Sequence, residues 1–324
     1  MASSTIVNSW TEWGSLELIC VGTAHGMCYP DETPAFPSVA GPPNLSPYLQ
    51  SVVGPRPRRR IQEAQAQLDH LVDLLRAESI TVACSIDDIR NEDIGEVLTR
   101  KQTSITGSSY TTDEIAFDAA DIIRMGKDIF YKKSATANNQ GLSWLRRTFP
   151  HLRFHMMHFP TSLDCHLDTS LVPLRPPTSG SPGIVLINQN RPPLVNEIKL
   201  FTDNDWRPVW GPLPATNSLP PFAMCSSNIN LNLLSLNDHC VIIEECEVPL
   251  YRLLHDELGF DVITCPFRVL NEFGGSIHCV TWDIRRQGSC IDYFPNQNYE
   301  AECQLDLESY SDQVVLVQDT EKKF

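Results

Sequence analysis

Near the C-terminal end of the chain a cysteine follows a Gly-Gly pair and a histidine, in NEFGGSIHCVTWDIRR, residues 271–286. Three readings of Cys279 are open: nucleophile, metal ligand or inert core thiol. A nucleophilic cysteine needs electropositive surroundings and partial access, because the thiolate is the reacting form. Gly274 and Gly275 would let backbone and substrate approach it closely. Acid–base groups lie in two other stretches. In HLD, His166 and Asp168 are two residues apart, which in a strand places them on one face, and histidine exchanges protons near neutral pH. In FDAADIIR, Asp118 and Asp121 interrupt an apolar run. Alternation sends them to opposite faces, so one of them points into a site. A carboxylate there needs a partner, either an internal ion pair with Arg124 or a cationic substrate that it clamps. His278 and Cys279, being adjacent, point apart in a strand.

Other chemistries find less support. None of the nine histidines and eleven cysteines has a spacing typical of zinc sites. There is no G-x-S-x-G elbow for a serine hydrolase and no GxxxxGK[ST] or GxGxxG loop for phosphates. A formal charge of −15 over 324 residues argues against a nucleic-acid surface. The one basic cluster, RPRRR at 56–60, reads as a solvated loop and helix start. No run of about eighteen apolar residues suggests a membrane span, and MASSTIVNSWTEW lacks the pattern of a secretory leader. The scattered cysteines, without C-x-x-C spacing, suit buried thiols in a reducing compartment. The expectation is a cytoplasmic protein that binds neither membrane nor nucleic acid.

The elements that must position these residues recur in one order. EIAFDAADIIRM and KDIFYKK read as strands, QGLSWLRRTF as a helix and RFHMMHF as a strand. HLDTSLVPL, GIVLIN, LVNEIKLFTDND and RPVWG repeat it. NLNLLSL, CVIIEE, PLYRLLHDELG and FDVITCPF make a third pass, with an Asn237-Asp238 hairpin turn and Gly259 closing the helix. The N-terminal part is incomplete: a strand LELICVG, an amphipathic helix from Ile61 to about Glu78, and a strand ITVAC. At the other end, IHCVTWDIRR and SCIDYF read as a hairpin without a helix. The two incomplete parts would complete one another and close a ring of ββαβ units, with the chemical residues converging on its axis.

Taken together, FDAADIIRMGKDIF, LSWLRRTFP, HLDTS, GIVLINQNRP, AMCSSNINLNLLSL and GGSIHCVTWDIRRQG, with the opening VNSWTEWGSLELICVGTA, resemble the amidinotransferases. The match runs in order over nearly the whole chain. The resemblance implies a single α/β domain over residues 1–324, a five-bladed α/β propeller of ββαβ units (the pentein fold). It implies that Cys279 attacks the guanidinium carbon of L-arginine and carries the amidino group, that His166 moves protons, and that Asp118 grips the guanidinium. Asp168, Arg191, Ser226 and Ser227 match positions that hold the amino-acid end of the donor. No metal or organic cofactor is implied, and a homodimer is expected.

The chain departs from that family in two places. Glycine-using members have an asparagine and a methionine where Leu163 and Cys165 stand, facing the acceptor. The expected acceptor is therefore an amine of secondary metabolism, as in toxin or aminoglycoside pathways, with saxitoxin-type biosynthesis foremost. After ESITVA, near Ala83, the chain passes to CSIDDIRNEDIG, a region that relatives reach one whole unit later. That unit carries a second guanidinium-gripping aspartate, for which no residue here is a match. A segment missing near residues 82–84 is the expectation, since loss of a blade would expose two sheet faces; a shortened form with four units is the alternative. Beside transfer stand two other readings: guanidine hydrolysis as in deiminases, and a non-catalytic scaffold of the same fold.

Overall fold

The computed structural model describes residues 7–29, 54–83, 115–134, 136–159, 166–216, 223, 225 and 227–300. Within them the strand β1 (Leu16–Val21) is followed by a short ribbon, β2 (Cys28–Tyr29) paired with β3 (Gly54–Pro55), then helix α1 (Arg58–Ala77) and β4 (Thr81–Ala83). The next unit comprises β5 (Ile122–Met125), β6 (Asp128–Lys132), α2 (Asn139–Thr148) and β7 (Arg153–Met157). A third has β8 (Leu171–Arg175), β9 (Gly183–Asn188), α3 (Val195–Thr202) and β10 (Trp206–Gly211). A fourth has β11 (Leu234–Ser235), β12 (Cys240–Glu244), α4 (Val248–Arg252, continued by a π turn over Leu253–Glu257) and β13 (Asp261–Cys265). Last comes β14 (Thr281–Arg286).

Each unit forms a three-stranded sheet in which the first two strands are antiparallel and the third returns parallel across a helix. The middle strands explain themselves. DIFYK, GIVLIN and CVIIE are buried at every position, as continuous apolar strands must be when both faces are covered. The ends of the chain complete one another as expected, with a different partner. β14 pairs antiparallel with β1, and β1 pairs parallel with β4 across α1. Residues 289–294 are not its hairpin partner: Asp292 makes only an isolated bridge to Gly126 and pairs with Arg153 instead. The fourfold ββαβ order is thus seen directly. The fifth unit of the expected propeller is not among the described residues, and the expected break near 82–84 adjoins residues outside them.

Neighbouring sheets share apolar cores. Ala64, Leu68, Leu71 and Leu75 of α1 pack with Leu16 and Ile19 of β1, and the same cluster reaches Leu234, Ile242 and Cys265 of the fourth unit. Phe130, Met157, Val185, Ile187 and Trp206 join the second and third units around Trp13 and Phe294. The basic stretch 56–60 is only partly solvated. Arg56 is buried on Glu272 (2.9 Å), which Arg60 also contacts, while Arg59 pairs with Glu63 on the surface.

The segment before β1 crosses to the second unit, where Gly126 N–H donates to Trp10 O at 2.8 Å and Lys127 N–H to Ile291 O at 2.8 Å. Gly126 has φ +74°, and a Cβ there would lie 2.2 Å from Ile291 O and 2.8 Å from the Tyr293 ring. Both the backbone conformation and the space demand glycine. Gly126→Ala is expected to destabilise the fold by roughly 2–4 kcal/mol, read as a lower urea midpoint.

Candidate active site

The acid–base and thiol candidates Asp118, Asp121, His166, Asp168 and Cys279 lie just ahead of the first strand of a sheet, in turns rather than in the strand. The FDAAD stretch forms a 3-10 turn over Ala119–Asp121 before β5, capped by Asp118, whose carboxylate accepts Ala120 N–H at 3.0 Å. The HLD stretch forms another over Leu167–Thr169 before β8, with His166 at its N-terminal end. Ile277–Val280 is a turn before β14, which starts only at Thr281. Strand alternation therefore governs none of these residues, and the face assignments made from it lose their basis.

Asp121, fully buried, takes Ser134 Oγ–H at 2.6 Å and Thr136 Oγ1–H at 3.0 Å on Oδ2. Thr136 Oγ1 is also 3.4 Å from His166 Nε2. Asp121, not Asp118, is thus the carboxylate linked to His166. Burial, opposed by these hydroxyls and by His166, raises its pKa to about 6. Neither aspartate takes Arg124. That guanidinium belongs to Glu12, at 2.9 and 3.0 Å, and to Asp283, at 2.9 and 2.8 Å.

His278 and Cys279, expected to diverge, converge on one oxygen. Asp168 Oδ2 accepts His278 Nδ1–H at 2.9 Å and Asn232 Nδ2–H at 2.8 Å, and lies 3.7 Å from Cys279 Sγ. Asn232 Oδ1 in turn accepts Cys279 N–H at 3.2 Å. On its far side His278 Nε2 is 3.7 Å from Glu12 Oε2. Burial by itself would depress the imidazole, but Asp168 and Glu12 outweigh it and raise His278 to about 10, so it is an imidazolium at neutral pH. Burial also opposes the ionisation of Glu12, yet Arg124 and His278 hold its carboxyl far below the usual range. Enclosure and then the charge of Asp168 push the Cys279 thiol well above its ordinary value.

The two glycines divide their tasks. Gly274 closes the 3-10 turn Arg268–Phe273 with φ +98°. At Gly275 an added Cβ would meet Cys279 Cβ at 2.5 Å and Sγ at 3.3 Å. The second glycine thus makes room for the thiol itself.

Arg191, after β9, is buried and donates from Nη2 to Asn228 O at 3.0 Å; Asn228 lies in the 3-10 turn that Ser227 opens. Leu163, Cys165 and Ser226 lie outside the described residues. Sequence reasoning missed Thr136, Asn232 and Glu12. The only available signal for Glu12 was a charge amid the aromatic residues of NSWTEW.

A small cleft adjoins this cluster, lined by Glu12, Asp168, Ser235, His278 and Arg286 with apolar residues that include Ile123, Leu171 and Leu233. The oxygens Asp168 Oδ1 and Asp121 Oδ1 are buried and have no hydrogen-bond partner among the described residues. Elsewhere Glu244, Cys246 and Glu247 bring ligating atoms within 4.8 Å of one another. There, however, Cys246 Sγ donates to Glu244, and Glu247 accepts Ala215 N–H.

No family model matches the chain. Over 187 residues it is 38% identical to the L-arginine:L-lysine amidinotransferase of Pseudomonas savastanoi pv. phaseolicola, a match covering 56% of this chain and 48% of that one. Over 212 residues it is 34% identical to the mitochondrial glycine amidinotransferase of Gallus gallus, covering 64% and 48%. The chain spans about half the length of these curated relatives. Among solved structures, an amidinotransferase of the saxitoxin biosynthetic pathway from Microseira wollei superposes with a TM-score of 0.75 at 26% identity, over 90% of this chain and 100% of that one. An α/β pentein fold fits both this likeness and the ββαβ sheets. Among the described residues no helix is long and apolar enough to cross a membrane.

Proposed function

We propose, because the chain belongs to the amidinotransferase family, that it moves the amidino group of L-arginine through a covalent amidino-cysteine on Cys279 to an amine of secondary metabolism, releasing L-ornithine. The observation that carries this reading is the pair of buried carboxylate oxygens, Asp121 Oδ1 and Asp168 Oδ1, without partners among the described residues, the second on the carboxylate whose Oδ2 lies 3.7 Å from the accessible Cys279 thiol. A buried anionic oxygen without a donor is costly. A guanidinium supplies five N–H donors in one plane, which suits two carboxylates better than an ammonium does.

The electrostatics set the order of events. With the site empty, enclosure and then the charge of Asp168 hold the thiol protonated. Asp168, which the resemblance places at the amino-acid end of the donor, is assigned instead to the guanidinium because its Oδ2 lies 3.7 Å from Cys279 Sγ; a guanidinium there cancels that field, so substrate binding itself favours the thiolate. His166 takes the thiol proton, and the sulfur adds to the guanidinium carbon. The tetrahedral adduct collapses as His166 protonates the departing nitrogen of ornithine, leaving the amidino group on sulfur. The incoming amine gives a proton back to His166, adds to the same carbon and expels the thiolate. Asp121, acting through Thr136, favours the imidazolium that His166 becomes.

Asp118 completes the grip on the guanidinium, while Arg191 pairs with the α-carboxylate of the donor, a planar fork meeting a planar anion. Ser226 and Ser227 hold the same end, and Leu163 and Cys165 face the acceptor, which is a toxin-pathway amine rather than glycine. No cofactor enters. A five-bladed ring, a homodimer and a cytoplasmic setting belong to the same proposal.

Incubation with labelled arginine tests it. Ornithine should appear in step with added acceptor amine, and intact-protein mass spectrometry should find an amidino adduct on Cys279. Citrulline or urea formed without an amine would replace transfer by hydrolysis, and a folded protein that takes up no adduct would replace it by a scaffold.

A further inference from the structure

We propose that His278 is a positioning residue whose positive charge offsets Asp168 beside the reacting thiol, and that Glu12, clamped by Arg124, keeps His278 in that role. Asp168 poses a problem for its own site. It is needed as an anion to take a cationic substrate, yet a negative charge 3.7 Å from a developing thiolate opposes its ionisation. The geometry supplies the counterweight.

The same Oδ2 that faces Cys279 Sγ at 3.7 Å accepts His278 Nδ1–H at 2.9 Å. The other ring nitrogen is held towards Glu12 Oε2 at 3.7 Å. Both oxygens of Glu12 are taken by Arg124, which also grips Asp283, and Asp283 Oδ2 receives Arg286 Nε–H at 2.5 Å. Arg286 is buried and anchored on Gly14 O at 2.8 Å and Ser235 O at 2.9 Å. Six charges therefore alternate in sign: Arg286, Asp283, Arg124, Glu12, His278 and Asp168. The series begins on β14, crosses β5 and the segment before β1, and ends at the thiol.

The charged groups that face His278 are Asp168, from the turn before β8, and Glu12, from the segment before β1; Arg286 lines the same cleft. With both ring nitrogens committed to carboxylates, His278 is not free to shuttle protons for the reaction. Its neighbour in sequence benefits from its charge instead. This inference rests on Cys279 as the reacting thiol, but its test needs neither arginine nor turnover, so the two readings fail separately.

The test is the pH dependence of Cys279 alkylation by iodoacetamide, followed at the Cys279 peptide by mass spectrometry. His278→Gln keeps a donor for Asp168 and removes the charge. At pH 8 its alkylation should fall about tenfold, its profile moving alkaline by about one pH unit, while the melting transition stays cooperative. His278→Lys, which restores a cation, should bring the profile back. In the unmodified protein, ¹⁵N NMR of the histidines should show both His278 nitrogens protonated at pH 8, a readout that survives even if the variants misfold. Folded His278→Gln protein with the parent's alkylation profile, or a neutral His278 at pH 8, overturns the inference.

Discussion

Ornithine release should fall by at least about 10⁴-fold in a Cys279→Ala variant, because the covalent route disappears with the sulfur and no neighbouring nucleophile replaces it. The fold should be indifferent to the change. Cys279 is exposed, its sulfur lies 3.7 Å from Asp168 and also meets the Ser276 backbone and Asn232, and its backbone N–H is held by Asn232 whatever the side chain. Removing the thiol therefore opens no core cavity, and the cost of truncation is confined to chemistry. Two measurements separate these effects: ornithine by amino-acid analysis at saturating arginine, and the thermal midpoint. Release within tenfold of the parent, in folded protein, would remove Cys279 from the mechanism. The other exposed cysteine among the described residues, Cys28, serves as the control, since its replacement should leave turnover unchanged.

The strands that carry the site were legible because burial on both faces leaves a plain mark. CVIIE and GIVLIN permit little but an interior strand, and the helix–strand order that follows each repeats closely enough to count units. The pairing of the two chain ends was legible as a need, since each half lacked what the other had. The partner was not. Residues 289–294 look like a second hairpin strand, but β1 requires a neighbour on each edge to bury LELICV, and TWDIRR meets that need.

Local periodicity failed most where the chemistry is. His166, Asp168, His278 and Cys279 sit in tight turns, so a period of two says nothing about where they point. Sequence identified His166, Asp168 and Cys279 as candidates but not which atoms meet. Pairing of Asp168 with His278 and of Glu12 with Arg124 spans 110 and 112 residues, distances over which pattern carries no signal and only the packed sheets decide. The misassignment of Arg124 has the same origin. A cation a few residues from two aspartates invites a local pair, yet the turn at 119–121 carries Asp121 towards Ser134 and Thr136, while β5 presents Arg124 to Glu12 and Asp283.

Asp121 offers a second large effect, one in which stability and activity should move in opposite directions. Its carboxyl is fully buried, and burial raises its pKa from 3.8 to about 6 despite the hydroxyls on Oδ2. The folded protein thus holds this proton more tightly than the unfolded chain does. Between pH 3.8 and about 6 the native state binds the extra proton, so stability falls as pH rises through that window. Above it the ionised carboxylate costs the fold about 3 kcal/mol at full value. A neutral asparagine at this position would never bear that cost, and its amide oxygen can still accept Ser134 and Thr136. Asp121→Asn is therefore expected to be more stable than the parent by roughly 2–3 kcal/mol at pH 7.5, with the advantage vanishing below pH 4. Chemical denaturation at the two pH values reads this directly. Activity should go the other way. Without an anion behind Thr136, the His166 imidazolium that forms during transfer loses its support, and kcat should drop about a hundredfold. The parent's kcat/KM should decline as pH falls through about 6, as Asp121 takes up its proton, and the variant should lack that limb. A variant that is less stable at pH 7.5 and equally active would show that Asp121 is a structural residue and that His166 works without it.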